Sequence, residues 1–294
     1  MRNAATVQPA RLARGLRRVL LERGVVIHEG TRATDIAVDR VVRVRAGGVD
    51  LRAAQAVLAV NAWAGGWPRH RSSLVAWGSY MVLTAPAPEL LERIGWTGGE
   101  AIADSRFTVH YFRTTPDGRV AFGAGVGAAG FGGRIGPSFE RDGRAVERAT
   151  AGLRRLLPDL AEVELTDAWG GPIDVSSDRL PIVGVTHGGR VHYAYGYSGN
   201  GVGPAHLAGR ILAARIAGRD DPVAALPLGA RRSRRFPPEP IRYVGARVVR
   251  EALIRRDELE DQGRRAGPIV RLLVRLPRVL GYRLGPQPSS ARTE

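Results

Sequence analysis

The run Gly196-Tyr197-Ser198-Gly199-Asn200-Gly201-Val202 concentrates the residue types best suited to chemistry in this chain. It follows an apolar strand pattern, Val191 to Tyr195, and precedes a helical pattern from about Gly203 to Ala217. Glycines let a backbone approach a flat ligand closely. A helix N-terminus offers unpaired amide N–H groups and a partial positive charge. Two chemistries use that arrangement. One is a flavin whose pyrimidine ring, anionic at N1 and O2 when reduced, rests on those amides. The other is a serine nucleophile elbow on Ser198. The elbow pattern wants glycine two residues after the serine, where Asn200 stands, and a later triad histidine; the one later histidine, His206, falls inside the adjoining helix. A plain strand-to-helix turn is the third reading.

Gly125-x-Gly127-x-x-Gly130 matches a dinucleotide fingerprint only as letters. The fingerprint works where a strand ends in a tight turn and a helix N-terminus meets a pyrophosphate. Here the glycines follow a hairpin return strand and no helix starts until after Pro137, so a flexible loop is expected. Trp169-Gly170-Gly171-Pro172 and Asp178-Arg179-Leu180-Pro181-Ile182-Val183-Gly184 fit either rigid turns or a segment crossing a bound ring.

The elements that must position these motifs follow from periodicity. Gln8 to Arg23 predicts an amphipathic helix with Leu12, Leu16, Val19 and Leu20 on one face, stopped by Gly24. Val25 to His28 predicts a buried strand. Ala33 to Val38, Val41 to Ala46 and Val49 to Ala53 predict a meander turned at Gly47-Gly48. Ala56 to Val60 is a continuous apolar run, expected in a parallel sheet covered on both faces. Strands are expected at Tyr80 to Thr84, Phe107 to Thr114, Arg119 to Phe122 and Glu162 to Trp169, with a helix at Ala145 to Leu157. Arg231 to Pro240 predicts a linker. Ile241 to Asp261 predicts a helix, and Ile269 to Leu280 a shorter one broken at Pro277.

Composition narrows the classes. All 44 basic residues are arginine against 28 acids, giving a net charge of +16. From Gly229 onward 16 arginines face 7 acids, so 16 − 7 = +9 of that charge sits in the tail. No aromatic platform or nucleic-acid motif accompanies it, and no nucleic-acid partner is expected. The absence of cysteine removes disulfides, thiolate metal sites and a cysteinyl-flavin link; no metal site is expected. No signal peptide and no apolar run long enough to span a membrane is present, so a cytoplasmic protein is expected.

Taken in order, these motifs resemble the D-amino-acid-oxidase-like superfamily of FAD-dependent oxidoreductases. The resemblance runs over about residues 5 to 225, through Val7 to Leu12, Gly24 to Thr31, Val57 to Trp63, Asp178 to Gly184 and Tyr195 to Val202. The middle stretch, Ser79-Tyr80-Met81 and His110 to Arg119, is most similar to the gamma-glutamylputrescine oxidoreductase and glycine oxidase type. The resemblance implies an α/β fold: an incomplete FAD-binding Rossmann-like domain over 1–70 and 167–228, an inserted antiparallel substrate domain over 71–166, and a basic helical extension over 229–294. It implies non-covalent FAD contacted at Ala33, Asn61, Ala62, Trp63, Asp178, Gly196, Tyr197, Ser198, Gly199, Asn200, Gly201 and Val202. It implies a small amine or amino acid met by Tyr80, Tyr111 and Arg113, oxidised by hydride transfer to flavin N5, with no catalytic base assigned. The family's first strand, G-x-G-x-x-G turn and helix have no counterpart here, so an N-terminal truncation is expected, and a second subunit or missing segment is the expected supplier of the ADP site. The tail helices are expected to dock on the protein body or a subunit, with a membrane surface disfavoured because Asp257, Glu258, Glu260 and Asp261 interrupt the basic face.

Overall fold

A computed structural model describes residues 5–125, 127–229, 231 and 233–283. In chain order its elements are α1 (Pro9–Glu22), β1 (Ala33–Val38), β2 (Val42–Ala46), β3 (Val49–Ala53), β4 (Ala56–Leu58), β5 (Leu74–Thr84), α2 (Pro88–Arg93), β6 (Ala101–Ala103), β7 (His110–Thr114), β8 (Val120–Ala124), α3 (Gly143–Leu156), β9 (Leu165–Ser176), β10 (Ile182–Thr186), β11 (Val191–Tyr195), α4 (Val202–Ile216), α5 (Ile241–Asp261) and α6 (Pro268–Val279). The chain forms two compact units.

The first unit comprises Met1–Ala59, Val183–Ala194 and Asn200–Arg231. Pro9 opens α1 behind Gln8, whose side chain accepts the Arg11 amide, and Gly24 closes it at φ 78°. β1-β2-β3 form the predicted meander, and Gly47 and Gly48 both take positive φ at its second turn. A second sheet has the order β10-β11-β4, with β11 parallel to β4. Two expectations fail here. Val25 to His28 forms no strand, and Val26 is 74% exposed. A strand needs a ladder partner, and none of the described strands pairs with this segment. β4 is parallel as expected but only half covered, because Val57 points outward.

The second unit comprises Val60–Ile182, Tyr195–Gly199 and Arg232–Glu294. Its antiparallel sheet runs β6-β7-β8-β5-β9. One face buries Val82, Phe112, Val120 and Phe122 against Ala149 and Leu153 of α3, and Phe112 stacks on Phe122 at 5.0 Å. Gly152 of α3 lies against His110 and Phe122, where any side chain would collide. β9 continues to Ser176, so Trp169 to Pro172 is strand, not turn; Pro172 is tolerated because β9 is an outer strand. The described part of the tail, with α5 and α6, belongs to this unit. Asp257 accepts the Thr108 N–H at 2.9 Å, and Arg242 donates to the carbonyls of Arg71 and Leu74. α6 runs through Pro277, since a proline so near the end removes a single hydrogen bond.

Candidate cofactor and substrate site

The free edge of β9 holds the glycine loop that follows β11. Ser198 donates its N–H to the Asp174 carbonyl at 2.9 Å, and the Ser176 N–H donates to Ser198 Oγ at 3.2 Å. The Asp174 carboxylate is 1% exposed and accepts the N–H groups of Gly196 and Tyr197, the latter at 2.9 Å. Burial pushes the Asp174 carboxyl above its usual range, while the amides of Gly196, Tyr197 and Ser198 pull it back. The Tyr197 phenol is pushed up to about 12, by burial first and the Asp174 charge second.

These anchors fix an unusual backbone. Gly196, Ser198 and Gly199 have φ of 83°, 55° and 88°. For Ser198 the left-handed conformation costs roughly 1–2 kcal/mol, offset by its buried hydroxyl contacts with Ser176 and Gly196. Those contacts also answer the nucleophile reading: Ser198 Oγ faces inward and none of the bonds found for it is to a histidine. The preceding Tyr195 hydroxyl meets His70 Nδ1 at 2.9 Å.

The sheet face opposite α3 carries the substrate-side candidates. Tyr111, Gly123, Met81 and Trp169 lie in register across four strands. The Tyr111 ring lies against Gly123, where a side chain would collide with it, and its hydroxyl meets Ser79 Oγ at 2.6 Å. Arg113 stands two residues along on the same face. Ile173 shares that face with Trp169, and a Cβ on Gly199 would lie 3.7 Å from Ile173 Cδ1. The Gly196–Gly199 loop therefore sits at the outer edge of the sheet that bears Tyr111 and Arg113, level with Ile173 and Trp77 and several residues along the strands from the row of Tyr111 and Trp169.

Other expected residues fall elsewhere. Tyr80 belongs to the opposite face, fully buried, with its hydroxyl on the Ser138 carbonyl and the Ala128 N–H. Register explains this, because neighbours along a strand alternate sides. Asn61, at φ 47°, opens a 3-10 turn, Asn61–Gly66, that packs on β5 and β9; Ala62 is buried there and Trp63 exposed. Asp178 accepts the Leu180 N–H at 3.2 Å, shaping a local turn. Ala33, Asn200, Gly201 and Val202 lie in the first unit, where Gly201 leaves the α4 N-terminus without a side-chain cap. Sequence reasoning missed Asp174 and Ser176. The available signal was an acid between Ile173 and Val175 in an apolar setting. Among the described residues no cluster of three or more His, Asp or Glu could hold a metal.

The fold is shared with solved oxidase and dehydrogenase structures. Glycine oxidase from Geobacillus kaustophilus matches with a TM-score of 0.59 at 22% identity, over 75% of this chain and 57% of that one. L-proline dehydrogenase from P. horikoshii matches with a TM-score of 0.59 at 19% identity, over 75% and 57%. The family model for DAO, FAD dependent oxidoreductase, matches residues 1–215, and the chain belongs to that family. A probable oxidoreductase, OrdL, of Rhizobium meliloti (strain 1021) is 31% identical over 72% of this chain and 47% of its own length. The gamma-glutamylputrescine oxidoreductase of Escherichia coli (strain K12) is 28% identical over 75% and 51%. The chain spans about half the length of the curated relatives it matches.

Proposed function

We propose that this chain supplies the ring side and substrate side of an FAD-dependent oxidoreductase acting on a primary or secondary amine or an amino acid. The observation that carries this is the loop Gly196–Gly199 anchored on Asp174 at the outer edge of the sheet whose strand β7 bears Tyr111 and Arg113. The residues present fit the ring half of FAD. The loop has left-handed glycines at 196 and 199, and α4 begins with uncapped amides. Gly196 to Val202 would hold the ring, with Asn61, Ala62, Trp63 and Asp178 around it and Ala33 toward the adenine. The chemistry bound FAD supplies is acceptance of a hydride from the substrate α C–H, leaving an imine to be hydrolysed.

The protein's own part is orientation. Arg113 pairs with a substrate carboxylate through its planar fork. Tyr111, fixed by Ser79, forms the wall of the substrate face; burial raises its phenol pKa, so it stays a neutral hydroxyl. An amine that binds neutral needs no base, and none is assigned. A second reading is a subunit that binds FAD only with another polypeptide. It is favoured by the lack, among the described residues, of a strand followed by a G-x-G-x-x-G turn and helix. The visible spectrum of the purified chain with added FAD separates the two: stoichiometric flavin supports a self-sufficient site, and weak flavin supports the partner. Anaerobic addition of amines and amino acids to the loaded protein tests the activity. Bleaching of the flavin band, lost for amino acids in Arg113→Leu, is expected; a loaded protein that no amine or amino acid bleaches contradicts the proposal.

A further inference from the structure

Between Gln262 and Arg283 the chain carries Arg264, Arg265, Arg271, Arg275, Arg278 and Arg283 and no acid. On α6, Val270, Val274 and Pro277 turn inward and Leu276 borders the cavity beneath the helix, while Ile269, Leu272 and Val279 recur at helical spacing on the outside. Leu272 is 66% exposed and Val279 81%. Arg271, Arg275 and Arg278 run along one flank of that stripe. On α5, which packs against α6, Ile241, Val244 and Val248 are exposed at the same spacing. Beneath α6 lies a cavity of about 250 Å³ lined by Val75, Trp77, Val175, Phe236, Leu276 and Leu280 among others.

The acids that would repel an anionic surface are engaged. Asp257 accepts from the Thr108 N–H and hydroxyl at 2.9 and 2.6 Å. Asp261 pairs with Arg106, Glu258 with Arg255, and Glu260 with Arg256. Paired in this way, these acids repel an anionic surface less than free carboxylates would.

We propose that the outer face of α6, extended by the start of α5, binds an anionic lipid surface. The helix lies in the headgroup plane, its apolar stripe enters the acyl boundary, and the arginines meet lipid phosphates. The charge selects this occupant. A second copy would set the same arginines against each other, and a protein partner would need a matching row of carboxylates. An anionic bilayer supplies negative charge in any register.

The test is flotation of the full chain with phosphatidylcholine vesicles, with and without about 30 mol % phosphatidylglycerol, a level that gives a substantial surface potential. Binding to the anionic vesicles alone, falling as salt rises, is expected. The double substitution Leu272→Glu and Val279→Glu should abolish it. Arg275→Glu should weaken it by roughly fivefold or more, as one interfacial arginine implies. Val26→Glu, an equally exposed apolar site in the first unit, should bind like the parent; all variants sit at exposed positions, and unchanged circular dichroism melting checks their folding. Parent protein that does not float, floats equally with neutral vesicles, or binds lipid regardless of these substitutions overturns the proposal. So does a parent dimer that Leu272→Glu dissociates while lipid affinity is absent.

Discussion

In the unit built on β5 to β9, Phe122, Val82 and Leu153 are closed between the sheet and α3. In the unit built on α1 and the two three-stranded sheets, Leu12, Leu16 and Leu20 stand open along a helix that buries no residue at all. Both sets have the periodicity of core positions. The difference shows that periodicity fixes which side of an element is apolar, while burial depends on whether a second layer lies over it. It also locates the stability of the chain: the second unit holds most of the large buried side chains, and it is the unit that anchors the loop at Gly196.

The largest expected effect tests that contrast in the core. Phe122→Ala should cost about 3–5 kcal/mol, because it opens a cavity beneath α3 and removes the Phe112 stack. Denaturant unfolding followed by near-ultraviolet circular dichroism measures it. A smaller effect is expected at the junction of core and site. Asp174→Ala leaves the amides of Gly196 and Tyr197 without their side-chain acceptor, and since the space vacated admits water to them the net loss is about 1–3 kcal/mol. Hydrogen exchange at those amides should accelerate while exchange in β7 and β8 holds. The same residue sets a pH slope. Burial keeps the folded Asp174 pKa above the unfolded value, so its contribution is full below the ordinary carboxylate range and is lost as pH rises through the folded value. Asp174→Asn should remove that slope from a denaturation series between about pH 3 and pH 7. The smallest effect belongs to the open unit: Leu16→Ala, at 56% exposed, should change stability by less than about 0.5 kcal/mol. A loss of several kcal/mol there would break the contrast.

Much of the architecture was legible where local signals agree. Alternation with Gly47-Gly48 between two arms gave the meander, and the apolar period from Ile241 to Asp261 gave both ends of α5. β9 was read short because Gly170, Gly171 and Pro172 read as a turn; at an edge they are tolerated, and Gly170 leaves room for the Tyr80 ring. Val25 to His28 has the composition of a strand but no partner among the described strands, and pairing is not a local property. Within the site, the loop and its strand-helix context were legible, since glycine spacing carries the backbone requirement. The separation of Tyr80 from Tyr111 was not, because the face a strand residue occupies depends on register with strands far away in sequence. Asp174 was missed for the same reason: its partners, Gly196 and Tyr197, lie more than twenty residues on.

In the proposed function the loop beginning at Gly196, anchored on Asp174 through Gly196, Tyr197 and Ser198, meets the flavin ring. Backbone amide NMR of the isotopically labelled full chain during titration with FAD addresses it directly, and weak binding suffices for detection. The account predicts shifts clustered at Gly196 to Val202 and at Tyr111, strongly reduced in Asp174→Ala. Saturating FAD that leaves those amides unmoved, or that shifts only residues far from the edge of β9, would contradict it.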